Sequence, residues 1–294
     1  MEYINTANNR SRIKLRLILD KIAKIITVAA TFFSVIVLAI LLYRVFSEGL
    51  PVLNRTFLTG RLSTDPSSAG IFGAILGTFW LIVVITPITM LFGICTAIYI
   101  ELYMKEGKLR SLLAMNIANL AGVPSIVYGI LGLTIFVRGM SLGNVVLAGG
   151  LTIALLILPI TIVTTQEAIR AIPEDLTEAA YGMGATKWQT IRTVIIPATA
   201  SNIVTGFILA ISRAIGETAP LVVIGIPALI LQFPNGIFDK FTVLPMQIYY
   251  WTMDSVLVAE YENLAAGAII VLLVMLLMLN LTAFIIRKKF EHQQ

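Results

Sequence analysis

Seven stretches of this chain, 25–43, 66–100, 111–137, 139–166, 193–212, 218–238 and 263–286, contain no Asp, Glu, Lys or Arg, and each is at least 19 residues long. About 20 apolar residues rising about 1.5 Å each cross a hydrocarbon layer of about 30 Å, so every run is a candidate membrane span. With 58% hydrophobic and only 13% charged residues, the chain holds more apolar surface than a soluble domain of 294 residues needs for its core. The expected class is an all-α, polytopic membrane protein.

The weakest of the seven runs is 218–238, where Pro220, Pro227 and Pro234 recur beside Gly225 and Gly236. A straight helix is not expected there, and the run reads as a re-entrant or pore-lining excursion. Charge placement supports about six spans. With the N-terminus inside, most of the 21 Lys and Arg fall on the cytoplasmic face, among them Arg10, Arg12, Lys14, Arg16, Lys21, Lys24, Lys105, Lys108, Arg110, Arg170, Lys187, Arg192 and the closing Arg287-Lys288-Lys289. A seventh span would throw that closing cluster outward, against the positive-inside rule. The expected organisation is a basic cytoplasmic segment 1–24, a first span 25–46, an outer loop 47–70, a membrane domain 71–286 and a cytoplasmic tail 287–294. Both termini are expected on the cytoplasmic side of the inner (plasma) membrane. The first apolar run is too long for a cleaved signal and no small-x-small site follows, so it reads as an anchor.

Several function classes drop out. The basic residues near the N-terminus flank a span and have no interleaved aromatic platform, so a nucleic-acid partner is not expected; membrane lipid is. There is no Gly-x-x-x-x-Gly-Lys loop, the one histidine is His292, and the one cysteine, Cys95, cannot pair within the chain. No catalytic residue, metal site or cofactor is expected in this chain.

The segment 171–197 separates the fourth and fifth spans. Pro173 suits a first helical position, Glu174 and Asp175 favour the positive end of the helix dipole, and Gly182 and Gly184 mark the stop. Lys187-Trp188-Gln189 starts a second short stretch, and Pro197 opens the next span. Ala179 and Ala180 leave a smooth surface that lets a partner approach the backbone. The plainer alternative is an amphipathic helix lying on the membrane, for which the acidic start and the alanines are unsuited.

Glu178-Ala179-Ala180, then Gly184 four positions on, then Val194-Ile195-Ile196-Pro197 after nine more residues resembles the EAA loop of ABC import permeases, with aliphatic replacements in its I-x-L-P ending. The resemblance implies the type I importer fold, with a cytoplasmic coupling helix that docks on an ATPase subunit. Glu178, Ala179, Ala180 and Gly184 would carry that role. It further implies that ATP and magnesium are bound by partner ATPase chains.

The run Ser-Arg-Ala-Ile-Gly-Glu-Thr-Ala-Pro at 212–220 narrows the resemblance to phosphate importers of the Pst type, as do Asn-Leu-Ala-Gly-Val-Pro-Ser-Ile-Val-Tyr-Gly at 119–129, Gly-Ala-Thr-Lys-Trp at 184–188 and the segment 70–101. The Glu-Thr-Ala-Pro form is more similar to the PstA branch than to PstC. The implied assembly is this chain with a PstC-like permease, two PstB-like ATPases and a PstS-like binding protein delivering phosphate.

Physically, Arg213 and Glu217 stand four residues apart on one helix face, and charges inside a membrane imply a function or a partner. A guanidinium fork matches phosphate oxygens, and Thr218 adds a donor where the helix breaks. The pathway residues expected are therefore Arg213, Glu217 and Thr218. Two other readings stay open: the pair only holds the kink, or Arg213, about 24 Å along the helix from Pro197, filters the outer entrance. Further alternatives for the whole chain are a permease for another oxyanion or small solute, and a secondary transporter. Lesser expectations are a Gly73/Gly77 helix contact, packed kinks at Pro87, Pro124 and Pro159, a turn or basic vestibule at Arg138, and an interfacial aromatic belt at Tyr249-Tyr250-Trp251.

Overall fold

A computed structural model describes residues 6–230 and 232–291; His292 lies outside the described residues. The first helix, α1, spans Thr6–Gly49, and the short α2 spans Arg55–Thr59. Helix α3 spans Phe72–Ile98 and runs on through a π-helical turn, Tyr99–Tyr103. Then come α4 (Lys108–Ala121), α5 (Ser125–Gly132, prolonged by a π-helical segment Leu133–Gly139), α6 (Val146–Arg170) and α7 (Glu174–Gly182). Helix α8 (Lys187–Thr190) continues through the π-turn Ile191–Ile195 into α9 (Ile196–Gly216), and α10 (Ala219–Ile224), α11 (Leu244–Asp254) and α12 (Glu260–Glu291) complete the chain. Among the described residues there is no strand, only an isolated bridge between Val145 and Lys240.

Among the described residues five helical stretches are long and apolar enough to cross a membrane: Arg16–Val52, Phe72–Tyr103, Val146–Arg170, Lys187–Gly216 and Glu260–Ile285. The count reaches six if Lys108–Ala121 and Ser125–Gly139, bent by 97° to each other, are taken as one span. Here the structure turns far more sharply than the packed kink expected at Pro124 within the run 111–137. Pro124 has no N–H to donate and drives Val123 out of the helical region, so the helix cannot pass through. The carbonyls freed at the break stay satisfied: Leu120 O accepts from Val123 N at 3.1 Å and from Tyr128 OH at 2.8 Å. Pro87 and Pro159, by contrast, lie inside helices that continue past them. Helix α1 begins at Thr6, so the basic N-terminal stretch from there on is itself helical.

Helix α6 is the axis of the bundle. Two-thirds (67%) of its most apolar window is buried, against 0% for α1, which stands at the outside. Its Ile153, Leu156 and Ile157 pack with Leu81, Val84 and Ile85 of α3, Ile211 and Ile215 of α9, and Leu221 of α10. With no water to expel between helices in lipid, close van der Waals fit is what holds such crossings. Gly150 supplies it opposite Val84, and Gly93 opposite Thr161. At one end of the bundle a second cluster joins Phe57, Ile71, Leu244, Trp251 and Leu264. At the other end Ile169, Ile191 and Ile195 pack with Ile98, Leu102 and Ile172.

The run 218–238 is neither a straight span nor a broken one. Among its described residues the only helix is the six residues of α10, about 9 Å of rise, ended by Gly225 at φ +81. The irregular chain beyond it is tied to the bundle through its polar groups. Val146 N and Leu147 N at the start of α6 donate to Asp239 O (3.1 Å) and Ile237 O (2.8 Å), Trp80 Nε1 donates to Pro234 O (3.1 Å), and Tyr250 OH donates to Ile226 O (2.9 Å). Irregular backbone is tolerated in an apolar layer only when satisfied by protein in this way. Two expectations change here. Gly73 and Gly77 face this loop of the same chain, where a Cβ on Gly77 would lie 1.9 Å from Thr242 O. Of the supposed aromatic belt, Trp251 is buried against Phe57 with ring centroids 6.0 Å apart, and Tyr250 is half-buried. Burial also raises the Tyr250 phenol above its ordinary pKa, helped by Tyr249.

Candidate functional site

The residues singled out in the sequence fall into two groups at opposite ends of the helix Lys187–Gly216, about 40 Å apart along its axis.

The first group is on α7 and the turn after it. Pro173 is the cap residue rather than the first helical one, and Glu174 and Asp175 occupy the first turn beside the positive end of the dipole. The helix closes with paired bonds, Gly184 N to Tyr181 O at 2.9 Å and Ala185 N to Ala180 O at 3.1 Å. This reverse turn needs a left-handed residue, and Gly184 supplies it at φ +85. Thr186 then caps α8 at once: Thr186 N donates to Gln189 Oε1 at 2.8 Å, and Thr186 Oγ1 accepts from Gln189 N at 3.4 Å. The two helices are thus joined by back-to-back caps with little slack.

At 100° per residue, Leu176, Ala179 and Ala180 share one face of α7, with Glu178 on the opposite side. Leu176, Ala179, Glu178 and Gly184 are exposed, Ala180 is half-buried, and Met183 and Trp188 extend the exposed apolar surface. The structure therefore brings the two alanines together and separates Glu178 from them.

Sequence reasoning missed the group beneath this segment. Glu101, in the π-turn that ends α3, is only 4% exposed and accepts from Arg110 Nη2 at Oε2 and from Arg170 Nη2 at Oε1, both at 2.6 Å. Lys187 Nζ lies 4.8 Å over the Tyr103 ring. The available signal was a lone acid closing a long uncharged run.

The second group is at the α9–α10 break. Arg213, in the last turn of α9, is placed where the dipole favours a cation. Glu217 has left the helix (ψ 119), and its Oε1 stands 3.6 Å from Arg213 Nε, with the two side chains 18% and 57% exposed. Thr218 turns elsewhere. It lines a cavity of about 370 Å³ with Ile126, Ala219, Val222, Val223 and Tyr249, while its carbonyl accepts from Leu221 N and Val222 N. A neighbour the sequence reading overlooked is Ser212, whose Oγ donates to Asn280 Oδ1 of α12 at 3.0 Å. Along α9 the exposed positions include Asn202, Leu209, Arg213 and Gly216, so one side of this apolar helix carries polar groups away from the bundle core. Among the described residues no three His, Cys, Asp or Glu gather as a metal site.

Residues 89–293 match the family described as binding-protein-dependent transport system inner membrane component. The chain belongs to that family. Among relatives, it is 32% identical over 276 residues to the phosphate transport system permease protein PstA of Yersinia pestis, covering 93% of this chain and 91% of that protein. It is 29% identical over 281 residues to the probable ABC transporter permease protein YqgI of Bacillus subtilis, covering 91% and 95%. Among solved structures, an inward-facing MetNI methionine ABC transporter matches with a TM-score of 0.59 at 15% identity, over 78% of this chain and 99% of that one. A transporter importing the acidic polysaccharide alginate matches at 0.53 with 17% identity, over 77% and 80%. These likenesses give the fold, that of type I ABC importer permeases. The chain is thus a multi-pass inner-membrane permease of an ABC importer, a class that works with an ATPase and a binding protein.

Proposed function

We propose that this permease carries inorganic phosphate, delivered by a PstS-like binding protein, in a complex with a PstC-like permease and two PstB-like ATPases. ATP and magnesium belong to the ATPases. The observation that carries the reading is the extent of the PstA match, 93% of this chain, together with the Ser212-to-Pro220 run that places Arg213 beside Glu217.

On this reading α7 and the turn at Gly184 are the coupling segment, lying with both termini on the cytoplasmic side. Ala179 and Ala180, with Leu176 and Met183, form the surface that seats in the ATPase; Glu178 sits behind it and Gly184 fixes the turn. Closure of the ATPase pair moves α7, and the bundle rocks to open the pathway on the opposite side. Arg213 presents its exposed guanidinium to the anion, and Glu217 balances that charge when the pathway is empty. Thr218 contributes through the backbone turn it starts.

A match of similar extent to YqgI, whose name gives no solute, keeps a second reading in view, a permease for another oxyanion. Stimulation of ATP hydrolysis separates the two. In the reconstituted complex, phosphate-loaded binding protein is expected to stimulate hydrolysis and sulfate to give no stimulation. Equal stimulation by sulfate supports the second reading, and no stimulation by phosphate overturns the first.

A further inference from the structure

Glu101 is the carboxylate most enclosed by cations in the described structure, and it lies outside both groups of residues discussed under the proposed function. Its two oxygens are each taken by a different arginine, Arg110 on the first turn of α4 and Arg170 at the last residue of α6, so one side chain joins three helical segments. Glu106, 97% exposed and 4.0 Å from Arg110, is too solvated to replace it. Arg170 is three residues before Pro173, the cap of α7. The flanking residues Ile98 and Leu102 pack, together with Ile172, on the cluster of Ile169 at one root of the α7–α8 hairpin and Ile191 and Ile195 at the other. Two residues beyond Glu101, Tyr103 lies under Lys187 at the start of α8.

A buried ion pair gains little net stability, because desolvation offsets most of the attraction. What it fixes is geometry: two short charge-assisted bonds, one to each oxygen, hold a carboxylate in one place. We propose that Glu101 is a positioning residue for coupling. Its bonds to Arg110 and Arg170 lock the tip of α3 to the root of α7, so that a displacement of α7 enters the bundle through α3 and α6 as one rigid unit. This rests on the reading of α7 as the coupling segment. Without the carboxylate, Arg110 and Arg170 lose the acceptor they share and the hairpin root moves independently of α3.

The test uses the full complex in proteoliposomes, with labelled inorganic phosphate taken up per ATP hydrolysed as the readout. Glu101→Gln keeps the shape and removes the charge. Uptake per ATP is expected to fall roughly tenfold, within the range that coupling free energies give. Arg170→Gln, at an exposed partner that leaves the Arg110 bond in place, is expected to do the same and serves if Glu101→Gln does not assemble. A purely structural role predicts less assembled complex with unchanged uptake per ATP, and that result overturns the proposal. Failure of the coupling reading itself looks different: Ala179→Trp, which blocks the exposed docking surface, would then transport normally. Spin-label distances between positions 106 and 175, in a Cys95→Ser background, need no substrate. The distribution is expected to broaden in Glu101→Gln, and an unchanged distribution also overturns the proposal.

Discussion

Arg213 and Glu217 stand one turn apart, yet only Arg213 is in the helix; α9 ends between them, and Nε and Oε1 remain 3.6 Å apart. A pair this long, with the arginine 57% exposed, contributes at most about 1 kcal/mol to stability. Arg213→Gln is therefore expected to leave insertion and assembly intact while lowering phosphate uptake by at least about tenfold. Arg213→Lys, which keeps the charge without the fork, should retain part of it. Uptake assays on complex quantified by pull-down check this. Unchanged transport in the Gln variant would remove Arg213 from the pathway and leave the pair as a holder of the kink.

Gly184 has open space around its Cβ position but a left-handed backbone, so substitution there costs strain rather than collision. Asn tolerates that conformation and a β-branched residue does not. Gly184→Asn is expected to keep most of the ATP-coupled uptake and Gly184→Val to lose it, with both proteins inserted at normal levels. Equal activity of the two would show that the turn geometry does not matter.

Gly77 presents the opposite problem, since a Cβ would press into the backbone carbonyl of Thr242. Gly77→Ala should displace the 230–243 loop from α3 and cost about 1–3 kcal/mol, read as a lower unfolding midpoint in detergent. A midpoint equal to that of the unsubstituted protein would mean that the loop is not seated on α3.

The 97° bend between α4 and α5 is imposed by Pro124, and the Tyr128 hydroxyl only caps it. Tyr128→Phe is expected to lower stability by about 1 kcal/mol while leaving uptake largely intact. Loss of transport at normal stability would give the hydroxyl a functional role.

Much of the architecture was legible in sequence, because span length, charge placement and proline are local signals. The apolar runs mark the long helices, Pro220, Pro227 and Pro234 mark the interrupted stretch, and Pro173 through Gly184 bracket α7. The misses depend on residues far apart in the chain. Glu101 meets Arg110 nine positions away but Arg170 only after 69, and Ser212 reaches Asn280 across 68. Trp251 reads as interfacial until Phe57 is seen to cover it, and Gly77 reads as a helix-packing residue until Thr242 comes down on it. Pro124 reads as a kink like Pro87 and Pro159, yet there the chain bends by 97° while the other two helices run on.

The most direct test of the central claim is ATP-driven uptake of labelled phosphate into vesicles carrying this chain with its partner permease, ATPase and binding protein, with sulfate and molybdate as competitors. The account predicts uptake that requires the ATPase and resists both competitors. Uptake driven by an ion gradient without the ATPase, or none for phosphate with the complex assembled, would contradict it.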